Sequence, residues 1–123
     1  MSRLLIALTI VLFAAAPSFA DGNKLLRGCQ HMLDAAEGKD VDIAGALSGG
    51  FCVGYLQGMA DLNIIYSVVL KDKKEIFFCI PEGVSHEQKA RVIVKYLRDH
   101  PNKLHEHECG LVLDALREAF PCK

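Results

Sequence analysis

The chain has 123 residues and five cysteines, with 14 Lys and Arg against 15 Asp and Glu for a formal net charge of −1. So balanced a charge leaves no basic footprint for nucleic acid or anionic lipid, and both are excluded as partners. The chain suffices for one domain after any targeting segment is set aside.

Such a segment opens the sequence. Arg3 supplies a positive charge, and residues 4–16 then run without a charged side chain. That apolar run is short of the about 20 residues a membrane-crossing helix needs. It leads into Pro17, Ser18, Phe19 and Ala20, where small residues at Ser18 and Ala20 form the pattern a signal peptidase cuts. Residues 1–20 are therefore read as a cleavable signal peptide, with an uncleaved anchor as the rival reading. Residues 21–123 form the mature domain, which begins at Asp21. No cysteine directly follows the apolar run, which argues against a lipid anchor. Loss of Arg3 moves the formal charge to about −2.

In the mature chain, Asn23 can cap a first helix that carries Leu25, Leu26, Cys29, Met32, Leu33 and Ala36 on one stripe, and Gly38 stops it. Residues 39–47 are small and acidic and read as a connection. A second helix is expected from about Ser48 to Tyr66, with Phe51, Tyr55, Met59 and Leu62 on one side. Gly50, Gly54 and Gly58 recur at steps of four, a bare strip on which a neighbouring helix can pack closely. Each costs up to about 1 kcal/mol of helix propensity, so tight packing is expected to offset it. A membrane dimer motif is the rival, and Gln57, Asp61 and Asn63 speak against it.

The charged run of Lys71, Asp72, Lys73, Lys74 and Glu75 lies between two apolar stretches, either in a hairpin or, as the reading favoured here, between a helix end and an extended segment. Pro81, Glu82 and Gly83 break the chain. Ser85 and Gln88 have the form of a capping box that opens a third helix with Ala90, Ile93, Val94 and Leu97 inward. Pro101 ends it near His100. A fourth helix is expected from about Leu104, carrying Cys109, Val112, Leu113, Leu116 and Phe120 on one face. The whole reads as an all-α fold, a compact four-helix domain stapled by disulfides.

All five cysteines are in the mature part, which places them in an oxidising compartment, and a core this small gains from covalent staples. Sequence alone leaves the pairing open. If helices one and two reverse near residues 40 and 41, Cys29 and Cys52 arrive at one level. If helices three and four reverse at Pro101, Cys79 meets Cys122. Swapped pairings such as Cys52 with Cys79 stay in play. Cys109 is left over, read as a buried free thiol acting as a small hydrophobe, with an intermolecular bridge as the alternative.

No catalytic apparatus is visible. His105, Glu106, His107 and Cys109 tempt a metal reading, but a helix would bring only His105 and Cys109 to one face, two ligands where a structural zinc wants four. No Cys-x-x-Cys, Gly-x-Ser-x-Gly, His-Glu-x-x-His or phosphate loop occurs. The chain is read as a non-enzyme that needs no cofactor.

The run Phe51-Cys52-Val53-Gly54-Tyr55-Leu56-Gln57-Gly58-Met59-Ala60-Asp61, then Cys79-Ile80-Pro81-Glu82-Gly83-Val84-Ser85, then Tyr96-Leu97-Arg98-Asp99-His100-Pro101 and finally Ala119-Phe120-Pro121-Cys122 resembles the Rap/Tai family of type VI secretion immunity proteins. Cys109 departs from that pattern. The resemblance implies a helical periplasmic protein that binds and inhibits a peptidoglycan amidase toxin, working as a homodimer whose projecting segment fills the toxin's cleft. A periplasmic accessory protein, binding a small ligand or acting as a chaperone on the same scaffold, is the alternative. The matched residues are those of packing and turns, so contacts must be sought elsewhere. Exposed polar connections are the expectation: Lys71, Asp72, Lys73, Lys74 and Glu75 in one, Asn102, Lys103, His105 and Glu106 in the other.

Overall fold

The computed structural model describes residues 21–69 and 76–123. Within them are four helices, α1 (Gly22–Ala36), α2 (Ile43–Val69), α3 (His86–Asp99) and α4 (Glu108–Ala119), with a single 3-10 turn at Pro101–Lys103 between the last two. No strand occurs among the described residues; an isolated antiparallel bridge joins Asp21 to His107. The signal peptide expectation and Lys71, Asp72, Lys73, Lys74 and Glu75 lie outside the described residues.

The helix α1 is capped by Asp21, not Asn23. The Asp21 carboxylate accepts from the Lys24 N–H at 2.9 Å, while Asn23 sends its side-chain N–H to the Leu104 carbonyl at 3.1 Å. Both roles follow from the bridge to His107, a long-range contact that fixes the chain entry. Leu25, Cys29 and Leu33 of the expected stripe are buried, and Gly38 follows the helix at φ +74°, the left-handed conformation that glycine adopts at least cost.

The second helix starts five residues earlier than expected. Asp42 accepts from the Gly45 N–H at 2.7 Å, an N-terminal cap that turns the supposed connection into the first turn of α2. The buried side of α2 consists of Gly45, Gly49, Cys52, Leu56, Ala60 and Asn63. The close approach of helices uses different glycines from those expected. A methyl at Gly28 would stand 2.7 Å from the Ser48 carbonyl oxygen and one at Gly49 3.1 Å from the Met32 nitrogen, so α1 and α2 meet backbone to backbone there. Gly50, Gly54 and Gly58 have nothing within 4 Å of that position and face outward.

Residues 76–80 run irregularly after α2, as the favoured reading of that stretch had it. They are pinned by Asn63, whose buried amide donates to the Phe78 carbonyl at 2.8 Å and accepts from the Phe77 N–H at 3.0 Å. This seats Phe78 in the core. Replacing Asn63→Leu strands those two backbone groups, and a loss of about 2–3 kcal/mol in urea denaturation is expected; a loss below about 0.5 kcal/mol would show that the amide is not what holds the segment.

The capping box is present in full: the Gln88 N–H donates to the Ser85 hydroxyl at 3.1 Å, and the Ser85 N–H donates to the Gln88 side chain at 2.8 Å. Ala90, Ile93, Val94 and Leu97 of α3 are all buried against α1 and α4. Helix α4 begins at Glu108, four residues later than expected, because residues after Pro101 first close a 3-10 turn and then pair with the chain entry. Its inward side is Glu108, Leu111, Val112, Ala115 and Leu116. Cys109 thereby falls outside the core and is an exposed thiol, which overturns the reading of it as buried.

Two disulfides close the structure, Cys29–Cys52 and Cys79–Cys122, with Cα separations of 5.1 and 5.0 Å. These are the pairings that hairpin geometry ranked first, and the swapped alternative is ruled out.

Candidate protein-binding surface

The most conspicuous surface belongs to α2, which spans about 40 Å. The helix has one charged residue, Asp61, held by Gln57 through a 2.7 Å hydrogen bond. Around that point its outer side is apolar from end to end. Ile43 is 82 % exposed, Leu47 72 % and Val68 69 %, and Phe51, Leu62 and Ile65 lie exposed between them. Exposed single hydrophobes are ordinary, but a contiguous row of this length marks an interaction site. No helix among the described residues is long and apolar enough to cross a membrane. Phe51, Tyr55, Met59 and Leu62 do share a side of α2, yet Phe51 and Leu62 are exposed and Tyr55 and Met59 only half-buried.

At the far end of α2, the row meets a cavity of about 220 Å³ lined by Met59, Leu62, Tyr66, Phe77, Cys109 and Leu113 with the buried Asn63 and Phe78 behind. Tyr66 and Phe77 pack edge to face with centroids 5.7 Å apart. Tyr66 precedes, and Phe77 follows, the charged run 71–75, while Cys109 is the second residue after the 102–107 connection. The bases of both sequence-predicted contact segments therefore converge on one cavity. Tyr55 lies close by, half-buried beside Cys109 and Glu108. Burial, then the Glu108 carboxylate and Cys109, push the Tyr55 hydroxyl up to about 12, so it stays protonated as a donor.

Of the second predicted segment, Asn102, His105 and Glu106 are exposed. Lys103 is partly covered. It donates to the Tyr96 hydroxyl at 3.3 Å and lies 3.8 Å from Asp114; that hydrogen bond, with the neighbouring acids, raises its pKa. The segment is anchored at both ends of its outer edge. Gly22 and Asn23 N–H groups donate to the Glu106 and Leu104 carbonyls, each at 3.3 Å, so the exposed side chains stand on a fixed backbone. His105 precedes α4 and His107 caps it, its Nδ1 accepting from the Cys109 N–H at 3.2 Å. Among the described residues no group of three His, Cys, Asp or Glu could hold a metal.

A larger cleft of about 650 Å³ lies between α1 and α3, lined by Leu33, Val94 and charged side chains. Its charges are engaged with one another: Lys39 with Asp34 and Glu37 at 2.8 and 2.9 Å, Arg91 with Glu37 and Glu87 at 3.2 and 2.7 Å, and Lys95 with Asp99 at 2.5 Å. The hydrogen bonds and proximity of Lys39 hold Asp34 and Glu37 below the usual carboxylate range. Such a solvated network makes a surface, not a ligand site.

The apolar row on α2 was legible as composition but not as surface. A helix apolar on nearly every side carries little angular signal, so periodicity could not say which side turns outward.

A family model described as Rap1a immunity proteins matches residues 21–122. No curated protein and no solved structure matches the chain.

Proposed function

The chain belongs to the family of Rap1a immunity proteins, and on that premise we propose that it is an exported periplasmic protein that binds and inhibits a type VI secretion effector, a peptidoglycan amidase, by obstruction and not by catalysis. The observation that carries this reading is a rigid, doubly bridged helical scaffold that presents the exposed side chains of Asn102, His105 and Glu106 on a backbone tied to the chain entry. Two disulfides suit an oxidising compartment, and processing after Ala20 would deliver the domain there.

The effector contact is assigned to the exposed side chains of Asn102, His105 and Glu106 with Lys103 at their edge, joined by the Lys71, Asp72, Lys73, Lys74 and Glu75 run. The convergence of the two segment bases on the Tyr66 and Phe77 cavity supports treating them as one patch. The α2 row is assigned to a second copy of this chain. Ile43, Leu47 and Phe51 stand toward one end of it and Leu62, Ile65 and Val68 toward the other, with Gly54 and Gly58 between them. An antiparallel copy that crosses at Gly54 and Gly58 sets apolar end against apolar end, as a two-fold interface requires.

The test is expression of the neighbouring effector in the periplasm of a susceptible host. Lysis should be suppressed by co-expression of this protein and restored when Glu106, Lys73 and Lys74 are charge-reversed together. Lysis that persists with the wild-type protein present would defeat the immunity reading; protection by the triple variant equal to wild type would move the contact elsewhere.

A further inference from the structure

Glu108 is the least satisfied polar group among the described residues. It opens α4 at 5 % exposure, and its Oε2 has no hydrogen-bond partner. A carboxylate so placed costs stability unless a positive charge reaches it. The residue beside it in sequence, His107, is bridged to Asp21, and the Asp21 carboxylate is close enough to act on Glu108 electrostatically. Asp21 is also the residue at which the signal peptide reading starts the mature chain, and the family match starts there too.

We propose that Glu108 is a built-in binding site for an ammonium group, and that its ligand is the α-ammonium of the chain's own mature N-terminus at Asp21. The inference rests on the processing step in the proposed function. Hydrolysis of the bond between Ala20 and Asp21 adds water across it. The hydroxyl goes to the Ala20 carbonyl carbon, a proton to the Asp21 nitrogen, and a second proton from solvent makes the amine an ammonium. A charge of +1 thus arises where the chain entry is already held, since the Gly22 and Asn23 N–H groups bond to the 104–106 backbone and the Asp21 side chain caps α1. Pre-positioning removes most of the entropic cost of forming an ion pair.

The groups that act on Glu108 are the Asp21 carboxylate and Lys24 from the α1 end, Tyr55 from α2, and His107, which caps α4. Burial, with Asp21, raises the Glu108 pKa, while His107 and Lys24 work against that shift. An unpaired, raised carboxyl favours its protonated form, so its contribution is present at low pH and lost as pH rises through the raised value. The α-ammonium reverses the demand at neutral pH. Its own pKa is then raised above its usual value, and the stabilisation persists until pH rises through that raised value.

The experiment compares mature protein exported and cut in the periplasm with the same protein acetylated at its α-amine, each as wild type and as Glu108→Gln. Intact mass fixes the start of the chain. The α-amine pKa is read by NMR of the reductively methylated terminus, and stability by thermal unfolding. The wild-type amine is expected to titrate above its ordinary value of about 8, and to return to that value in Glu108→Gln. Acetylation is expected to lower the wild-type melting temperature by about 4–8 °C and to leave the Glu108→Gln protein nearly unchanged. Equal amine pKa values in the two proteins, or an acetylation effect of equal size in both, would overturn the ion pair while the processing reading stands. A mature start other than Asp21 would overturn both.

Discussion

Replacing Cys29 and Cys52 together by alanine should lower stability by about 3–4 kcal/mol and the melting temperature by roughly 15 to 25 °C. The two cysteines are 23 residues apart in sequence, so the bond removes a loop of that size from the freedom of the unfolded chain. Both are fully buried at the seam of α1 and α2, where Gly28 and Gly49 bring the backbones together. Loss of the bond therefore relaxes the closest helix contact as well as lengthening the free chain. The effect is read by urea unfolding of the mature protein, with the single Asn63→Leu variant as an internal scale. A shift below 1 kcal/mol would mean that the α1 and α2 packing stands without its bond.

The second large effect concerns association. Leu47→Lys with Ile65→Lys would place four charges in the two-fold interface proposed along α2 and remove four apolar side chains from it, each worth about 1.5–3 kcal/mol when buried. Self-affinity should fall by at least a hundredfold. Because both positions are exposed in the single chain, helicity and melting temperature of the dissociated protein should match those of wild type. Sedimentation equilibrium separates the outcomes. A wild-type protein that is monomeric at tens of micromolar, or a double variant that still dimerises, would remove the assignment of this surface to a second copy. Comparing protection against the effector in the same pair then tells whether association is needed for inhibition.

The parts of the fold legible in the sequence are those set by local chemistry. Ser85 and Gln88 sit three apart before an apolar stripe, which is enough to start α3, and Pro101 is enough to end it. Hairpin reversal gave the disulfide pairs because a covalent bond needs only that two residues reach one level. The misplaced features share a different cause. Asp42 caps α2 through a short side chain in a stretch of small residues that reads equally well as a loop. Asp21 outcompetes Asn23 as a cap because a partner more than 80 residues away fixes both. The late start of α4 follows from the same partner. A shift of four residues at a helix start leaves its inner stripe intact, which is why Val112 and Leu116 were placed correctly, but it frees the first turn to be re-aimed, which is why Cys109 was not. The candidate site divides in the same way. Exposed charge at Asn102 to Glu106 was readable from polarity, whereas the outward side of α2 depended on which of five glycines met a neighbour, and that is decided by tertiary packing.

The connectivity of the bridges bears on how the protein is made. Their two covalent loops follow one another along the chain without interleaving, so neither has to thread the other. A polypeptide oxidised as it emerges tends to join neighbouring thiols in order of arrival. That order gives the native first bond, since Cys52 is the next thiol after Cys29. On the proposed export route it then offers Cys109 to Cys79 before Cys122 has emerged. The exposed unpaired thiol is thus a decoy during biogenesis, and reaching the native second bridge calls either for oxidation delayed until the last residues are out or for an isomerase able to exchange one sulfur for the other.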